Sequence, residues 1–222
     1  MTQLSFAAMY EHNIIYHVYN QSINYELLFR SWKNYQVFLS KCRTHLLPHA
    51  DIFAYCLMPD HFHFMLKPTE LGCQLSKSGR FLKLGETGPE LRYQQNLSQA
   101  FKTILSSYTQ KVNRAFKRRG SLFKAKTKAK PGYQDFCPEI DLIEGKPFTH
   151  FVPYLRTCFH YIHNNPQKAD YVLDPLDWEF SSAMDYEGLR DSMLCNFELT
   201  EKLLGIKRKP PKSNQFTWRQ AG

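Results

Sequence analysis

The sequence predicts an α+β fold: a ferredoxin-like split βαβ antiparallel sheet with helices on one face and added C-terminal helices. Three observations carry this expectation. Short segments rich in β-branched and aromatic residues alternate with longer segments whose apolar residues recur at the helical period. Their order is strand, helix, strand, strand, helix, strand. No internal repeat points to a solenoid or a propeller instead.

Residues 14–20 (IIYHVYN) read as the first strand, ended by polar Gln21 and Ser22. In residues 31–48, Tyr35, Phe38, Leu39, Cys42 and Leu46 make one apolar helix face, with Ser31 as the cap and Pro48 as the stop. Residues 52–57 form a second strand, Pro59 and Asp60 a turn, and residues 61–67 (HFHFMLK) a third, alternating strand. Residues 69–96 show no sustained period and read as a loop-like insertion. Residues 99–118 are the clearest helix, with Phe101, Ile104, Leu105, Tyr108, Val112 and Ala115 in one stripe and Gly120 at the C-terminal stop. Residues 121–126 supply a fourth strand, and residues 131–149 read as a second irregular insertion. The last helix is expected from Pro153, a first-turn proline, to Asn164 or Asn165, before Pro166. Residues 1–204 are expected to form one domain carrying both insertions, and residues 205–222 a basic, flexible tail.

Composition sets the function classes. With 43% hydrophobic and 22% charged residues, the chain is neither disordered, collagenous nor a coiled coil. The formal charge of +9 favours a polyanionic partner, either nucleic acid or an anionic membrane surface. No apolar run has the roughly 18 residues a membrane span requires. The N-terminus lacks the basic and apolar regions of a secretory signal, so a cytoplasmic protein is expected. Its six cysteines are scattered with no CxxC pair, which removes zinc-finger spacing and suggests buried, reduced thiols.

Two segments carry chemistry. His61 and His63, at i and i+2 of a strand, project from one face while Phe62 and Phe64 project from the other. Two neutral imidazoles side by side can hold a divalent metal, although the same spacing also fits two partly exposed strand histidines. In FHYIHNNP, Tyr161 and Asn165 lie four residues apart and share a helix face. A tyrosine can attack phosphorus, but a phenol ordinarily ionises only near about pH 10, so it needs a phosphate already polarised by a cation. Asn165 offers a carbonyl oxygen suited to Mg²⁺ or Mn²⁺; Tyr161 could equally be packing, and Asn164-Asn165-Pro166 a plain helix stop. His163 points away from Tyr161 and reads as packing or DNA contact, and His160 as structural.

A third segment is basic. From Lys102 to Lys130 there is no acidic residue, and Lys111, Arg114, Arg118, Arg119, Lys124, Lys126 and Lys128 fall among interleaved aromatics. Cations for phosphates and aromatic faces for unstacked bases are the components of single-strand binding. Lys111, Arg114 and Arg118 are expected on one helix face, opposite the apolar stripe.

Taken together, YHVYNQS, AYCLMPDHFHFMLKP, RRGSLFKAKTKAK, YIHNNPQKADYV and DWEFSS resemble, in that order, segments of the single-tyrosine HUH transposases. Within that group the chain resembles the REP-associated tyrosine transposases, over roughly residues 14–182. The resemblance implies that His61 and His63 bind the metal, that Asn165 completes the site, and that Tyr161 is the nucleophile. It also implies cleavage of single-stranded or hairpin DNA through a 5′-phosphotyrosine, rejoining without ATP, and possible homodimers. Such relatives often carry asparagine where Asp60 stands, a change expected to affect only the turn. Two other readings stay open: a DNA-binding protein without catalysis, and a metal-dependent hydrolase that uses water and would survive Tyr161→Phe.

Overall fold

The structure, a computed structural model, describes residues 10–81, 90–137 and 146–212. Strands β1 (Tyr16–Gln21), β2 (Ala50–Leu57), β3 (His61–Pro68) and β6 (Lys128–Pro131) form one sheet in the order β2-β3-β1-β6, every paired neighbour antiparallel. Strand, helix, strand, strand, helix, strand is the expected split βαβ order. Helices α1 (Trp32–His45) and α3 (Asn96–Ala115) cover one face. The added C-terminal helices α4 (Phe148–Lys168), α5 (Ala183–Tyr186) and α6 (Phe197–Leu204) cover the other.

Strand alternation divides the two cores. Tyr16, Val18, Phe62, Phe64 and Leu66 turn toward α1 and α3, where they meet Phe38, Leu39, Ile104 and Tyr108. Ile15 and Met65 turn toward α4, against Leu155, Cys158, Phe159 and Ile162. The helix stripe expected from Tyr35 to Leu46 is buried throughout. Ser31 occupies the first cap position of α1, but its side chain makes no capping bond. All six cysteines are unpaired, as expected from their spacing.

Several boundaries differ from expectation. The segment 69–96 is more than a loop. It begins with the short helix α2 (Glu70–Cys73), capped where Thr69 Oγ1 accepts from the Gly72 amide at 3.0 Å. It continues into an antiparallel hairpin, β4 (Leu75–Phe81) and β5 (Glu90–Gln95). The hairpin carries almost no apolar alternation, so its cross-strand hydrogen bonds leave no sequence signal. The fourth strand of the main sheet is β6, not residues 121–126. Those residues meet the end of β1 only around an isolated bridge, Ser22 to Phe123, where the Lys124 amide donates to the Gln21 carbonyl at 2.9 Å. The Asn20 side chain then donates to the Lys124 carbonyl at 3.1 Å and to Thr127 Oγ1 at 3.0 Å, holding the intervening chain out of register until Lys128 pairs with Tyr19.

Helix α3 ends earlier than expected, at Ala115, with the left-handed turn taken by Lys117 rather than first at Gly120. Helix α4 is longer than expected at both ends and holds Pro153 and Pro166 inside it. Each proline removes one backbone bond. The packing of Phe151 at one end, and of buried Asn165 and Pro166 at the other, carries the helix through both. Beyond α6, residues 205–212 are docked rather than loose. The Lys209 amide donates to the Tyr186 carbonyl at 2.7 Å, and Arg208 reaches Asp191 at 3.1 Å. The remainder of the expected tail, residues 213–222, lies outside the described residues, as do residues 138–145 of the second expected insertion.

Candidate active site

The face of the sheet turned toward α4 carries four ring side chains from its two central strands. In the register of β1 against β3, Tyr19 lies opposite His63 and His17 opposite Met65. His17, Tyr19, His61 and His63 therefore share one face, and Phe62 and Phe64 lie in the opposite core, as the alternation predicts. Tyr161 and Asn165 stand one turn apart on α4 above them. The sequence-predicted quartet of His61, His63, Tyr161 and Asn165, drawn from segments a hundred residues apart, is thus gathered within one chain.

Asn165 is the centre of the group. Its Oδ1 lies 3.2 Å from His61 Nε2, and its Nδ2 lies 3.4 Å from His63 Nε2. Each imidazole is held from behind through its other nitrogen. His61 Nδ1 meets the Asp60 carboxylate at 2.6 Å, and His63 Nδ1 meets His17 Nε2 at 2.9 Å. The Tyr161 ring packs edge-on, with its centroid 5.8 Å from His63 and 6.0 Å from His17. The Phe136 ring centroid lies 5.6 Å away, and Lys168 Nζ sits 5.1 Å from the Tyr161 ring centre.

Burial sets the charge states. Desolvation pulls the His63 imidazole well below the usual histidine range, and neighbouring His17 and His61 push the same way. His17 is lowered to about 4, again chiefly by burial. Burial raises the Tyr161 phenol above its ordinary value, with Cys158 and Tyr19 adding to the rise, while a hydrogen bond with Asn165 opposes it.

This donor set fits a small divalent cation. Among the described residues no three His, Cys, Asp or Glu side chains gather as a metal site; here the third donor is an amide. Asp60 at Nδ1 fixes the His61 proton there, leaving a lone pair on Nε2. If His63 likewise carries its proton on Nδ1, two lone pairs converge on Asn165. An amide has one donor end, so it satisfies only one of them, whichever way it is turned. A cation held by the two nitrogens and the amide oxygen would satisfy all three; the amide oxygen suits Mg²⁺ or Mn²⁺, and the imidazole nitrogens favour a transition ion such as Mn²⁺.

The basic residues divide. Lys111, Arg114, Arg119, Lys124, Lys126 and Lys128 are exposed, and none forms an ion pair with a described residue. Arg118 departs from expectation. It lies beyond the end of α3, pairs with Glu26 at 2.8 Å, and also bonds Asn113 and the Ser121 carbonyl. Its acidic partner comes from far outside the basic segment, so Arg118 ties down the loop at residues 22–31 rather than facing solvent. A groove of about 1200 Å³ runs between α3 and residues 120–130, lined by Lys102, Lys124, Lys126 and Lys128 among others. In the register of β6 against β1, Lys128 lies opposite Tyr19; its Nζ is 5.6 Å from that ring centre, and the ring is 5.7 Å from His63. Through Lys128 the basic segment borders the histidine cluster at the edge of the sheet.

Sequence reasoning misses three members of this site. In the sequence His17 is only one residue of a strand, and Asp60 only part of a turn, yet its carboxylate orients His61. Lys168 is two turns beyond Tyr161 on α4, and that spacing is the one signal that marks it. His163 is packing and not DNA contact: it is buried, with Nε2 2.7 Å from Ser182 Oγ. His160 is exposed.

No protein-family profile and no curated protein sequence matches the chain. Among solved structures, that of a REP-associated tyrosine transposase bound to a REP hairpin superposes with a TM-score of 0.50 at 14% identity, over 97% of this chain and 95% of that one. The chain has the fold of a REP-associated tyrosine transposase. At this identity the likeness is one of architecture, and it covers the transposase fold nearly end to end. It places the α+β sheet and its C-terminal helices in a known setting. The residues of this site stand on their own geometry.

Proposed function

We propose that the protein is a metal-dependent endonuclease and strand transferase for single-stranded or hairpin DNA, acting through a 5′-phosphotyrosine. The observation that supports this is the convergence of Tyr161, His61, His63 and Asn165 on one face of the sheet, with Lys128 at the adjoining basic edge. The solved transposase, whose fold this chain shares, is bound to a DNA hairpin. The imidazoles of His61 and His63 and the amide oxygen of Asn165 would hold the cation, with Asp60 orienting one ring. When bound, the cation supplies Lewis-acid polarisation of the scissile phosphate.

The chain's own residues do the rest. Lys124, Lys126 and Lys128, which line the groove, and Lys111, Arg114 and Arg119, exposed outside it, track the DNA backbone. Phe136 and Lys168 pack against the Tyr161 ring and help to hold it. The Tyr161 oxygen attacks phosphorus in line and releases its proton. The bond from phosphorus to the 3′ oxygen breaks, and that oxygen leaves as a protonated hydroxyl. One phosphodiester is exchanged for another, so a second 3′-hydroxyl can reverse the step without ATP.

The test uses labelled hairpins with random single-stranded flanks, incubated with Mn²⁺ and resolved on a denaturing gel. A covalent DNA–protein adduct is expected in the wild type and none in Tyr161→Phe, with binding retained. Cleavage that persists in Tyr161→Phe would refute the nucleophile and indicate water attack. Binding with no adduct in the wild type is the result expected of a DNA-binding protein without catalysis.

A further inference from the structure

We infer that His17 is a positioning residue, which accepts a hydrogen bond at Nε2 from His63 Nδ1 and so keeps the Nε2 of His63 free to bind the metal. The inference rests on the metal reading above and deepens it. His17 and His63 come from neighbouring strands and lie on the same sheet face. Their nitrogens are 2.9 Å apart, their rings are stacked with centroids 5.0 Å apart, and both side chains are buried.

A contact of this length between two neutral imidazoles holds a single proton, so there are two arrangements. In one, His17 donates. His63 then carries its own proton on Nε2, where it faces the amide nitrogen of Asn165 and cannot ligate. In the other, His63 donates, and its Nε2 lone pair meets Asn165. The proton of His17 then sits on Nδ1, a buried atom with no hydrogen-bond partner among the described residues. That orphaned donor has a desolvation cost. Cation binding at His63 Nε2 compensates it by selecting the second arrangement.

Each candidate ligand histidine is therefore held through Nδ1, by a carboxylate at His61 and by a neutral imidazole at His63. The imidazole adds no charge, so His17 aligns its partner without adding a second anion beside a phosphate. Its ring also packs edge-on against Tyr161, with centroids 6.0 Å apart, so it touches both the nucleophile and the ligand.

The experiment measures Mn²⁺ affinity of the full chain without DNA, from the electron paramagnetic resonance of free Mn²⁺. His17→Phe keeps the ring but removes the acceptor, and is expected to weaken binding about 10- to 100-fold. His17→Gln restores an acceptor near Nε2 and is expected to bind within about threefold of the wild type. Adduct formation by His17→Phe should recover at saturating Mn²⁺. Wild-type affinity in His17→Phe would overturn the inference. Should that variant fail to fold, ¹⁵N imidazole spectra of the wild type decide, with and without Mg²⁺. They should show His63 protonated at Nδ1 in the Mg²⁺-loaded protein. A proton on His63 Nε2, or direct coordination by His17, would refute the proposed role. Wild-type Mn²⁺ binding that is indifferent to His63→Ala would instead refute the metal reading. The tautomer spectra would then still report which of the two rings donates.

Discussion

Replacing Arg190 by Met should destabilise the protein by about 3–5 kcal/mol, because it breaks a buried ion pair from one side only. Arg190 is 1% exposed and Asp185 is fully buried. The guanidinium donates to Asp185 Oδ1 at 2.9 Å and to Oδ2 at 3.1 Å, to the Tyr55 hydroxyl at 3.1 Å and to the Ser181 carbonyl at 2.6 Å. It also donates to the Glu179 carbonyl. Without it, Asp185 keeps the Ser192 amide at 3.0 Å and a long contact with Tyr55, too little for a carboxylate away from water. For a chain of this size each kcal/mol moves Tm by roughly 2–4 °C, so a fall of about 8–16 °C is expected for a loss near 4 kcal/mol. Thermal and urea unfolding followed by circular dichroism provide the assay. Adding Asp185→Leu should recover a substantial part of the loss, since no unpaired charge then remains inside. A loss below about 1 kcal/mol in Arg190→Met, or a double variant no better than the single one, would show that the cluster is not energetically coupled.

Other predictions bear on the site and its surroundings. Asp60→Ala should weaken Mn²⁺ binding about 10- to 100-fold by releasing His61, and Asp60→Asn, which still presents an acceptor, should lose less; calorimetric titration reads both. Lys111→Gln with Arg114→Gln should lower the slope of log affinity against log salt for single-stranded DNA by about 1.4, roughly 0.7 per lost phosphate contact, in filter-binding measurements. Burial lowers the His163 imidazole to about 3, so the folded protein favours its neutral form. That contribution is complete above about pH 6.5 and is lost as pH falls toward 3, at up to about 1.4 kcal/mol per pH unit. In EDTA, His163→Gln should therefore remove about 2 kcal/mol of the stability difference between pH 7 and pH 5; an unchanged difference in urea melts would contradict this assignment.

Much of this molecule is legible in one dimension. Period-two alternation puts Phe62 and Phe64 in one core and His61 and His63 on the other face, because strand geometry leaves no other choice. The helical period pairs Tyr161 with Asn165 and identifies the buried stripe of α1 and most of that of α3, where Leu105 is half-buried and Ala115, at the helix end, is exposed. What stays hidden depends on pairing between distant segments. The β4–β5 hairpin is held by backbone hydrogen bonds that its polar side chains do not advertise. Arg118 reads as a phosphate contact in the sequence because its partner Glu26 lies 92 residues earlier. The proline bounds expected for α4 give way to tertiary packing. His17 acquires meaning only when β1 and β3 align and set its Nε2 against His63. Local periodicity fixes where a side chain points; which group it meets depends on strand register and helix docking, and these are settled only when the whole sheet closes.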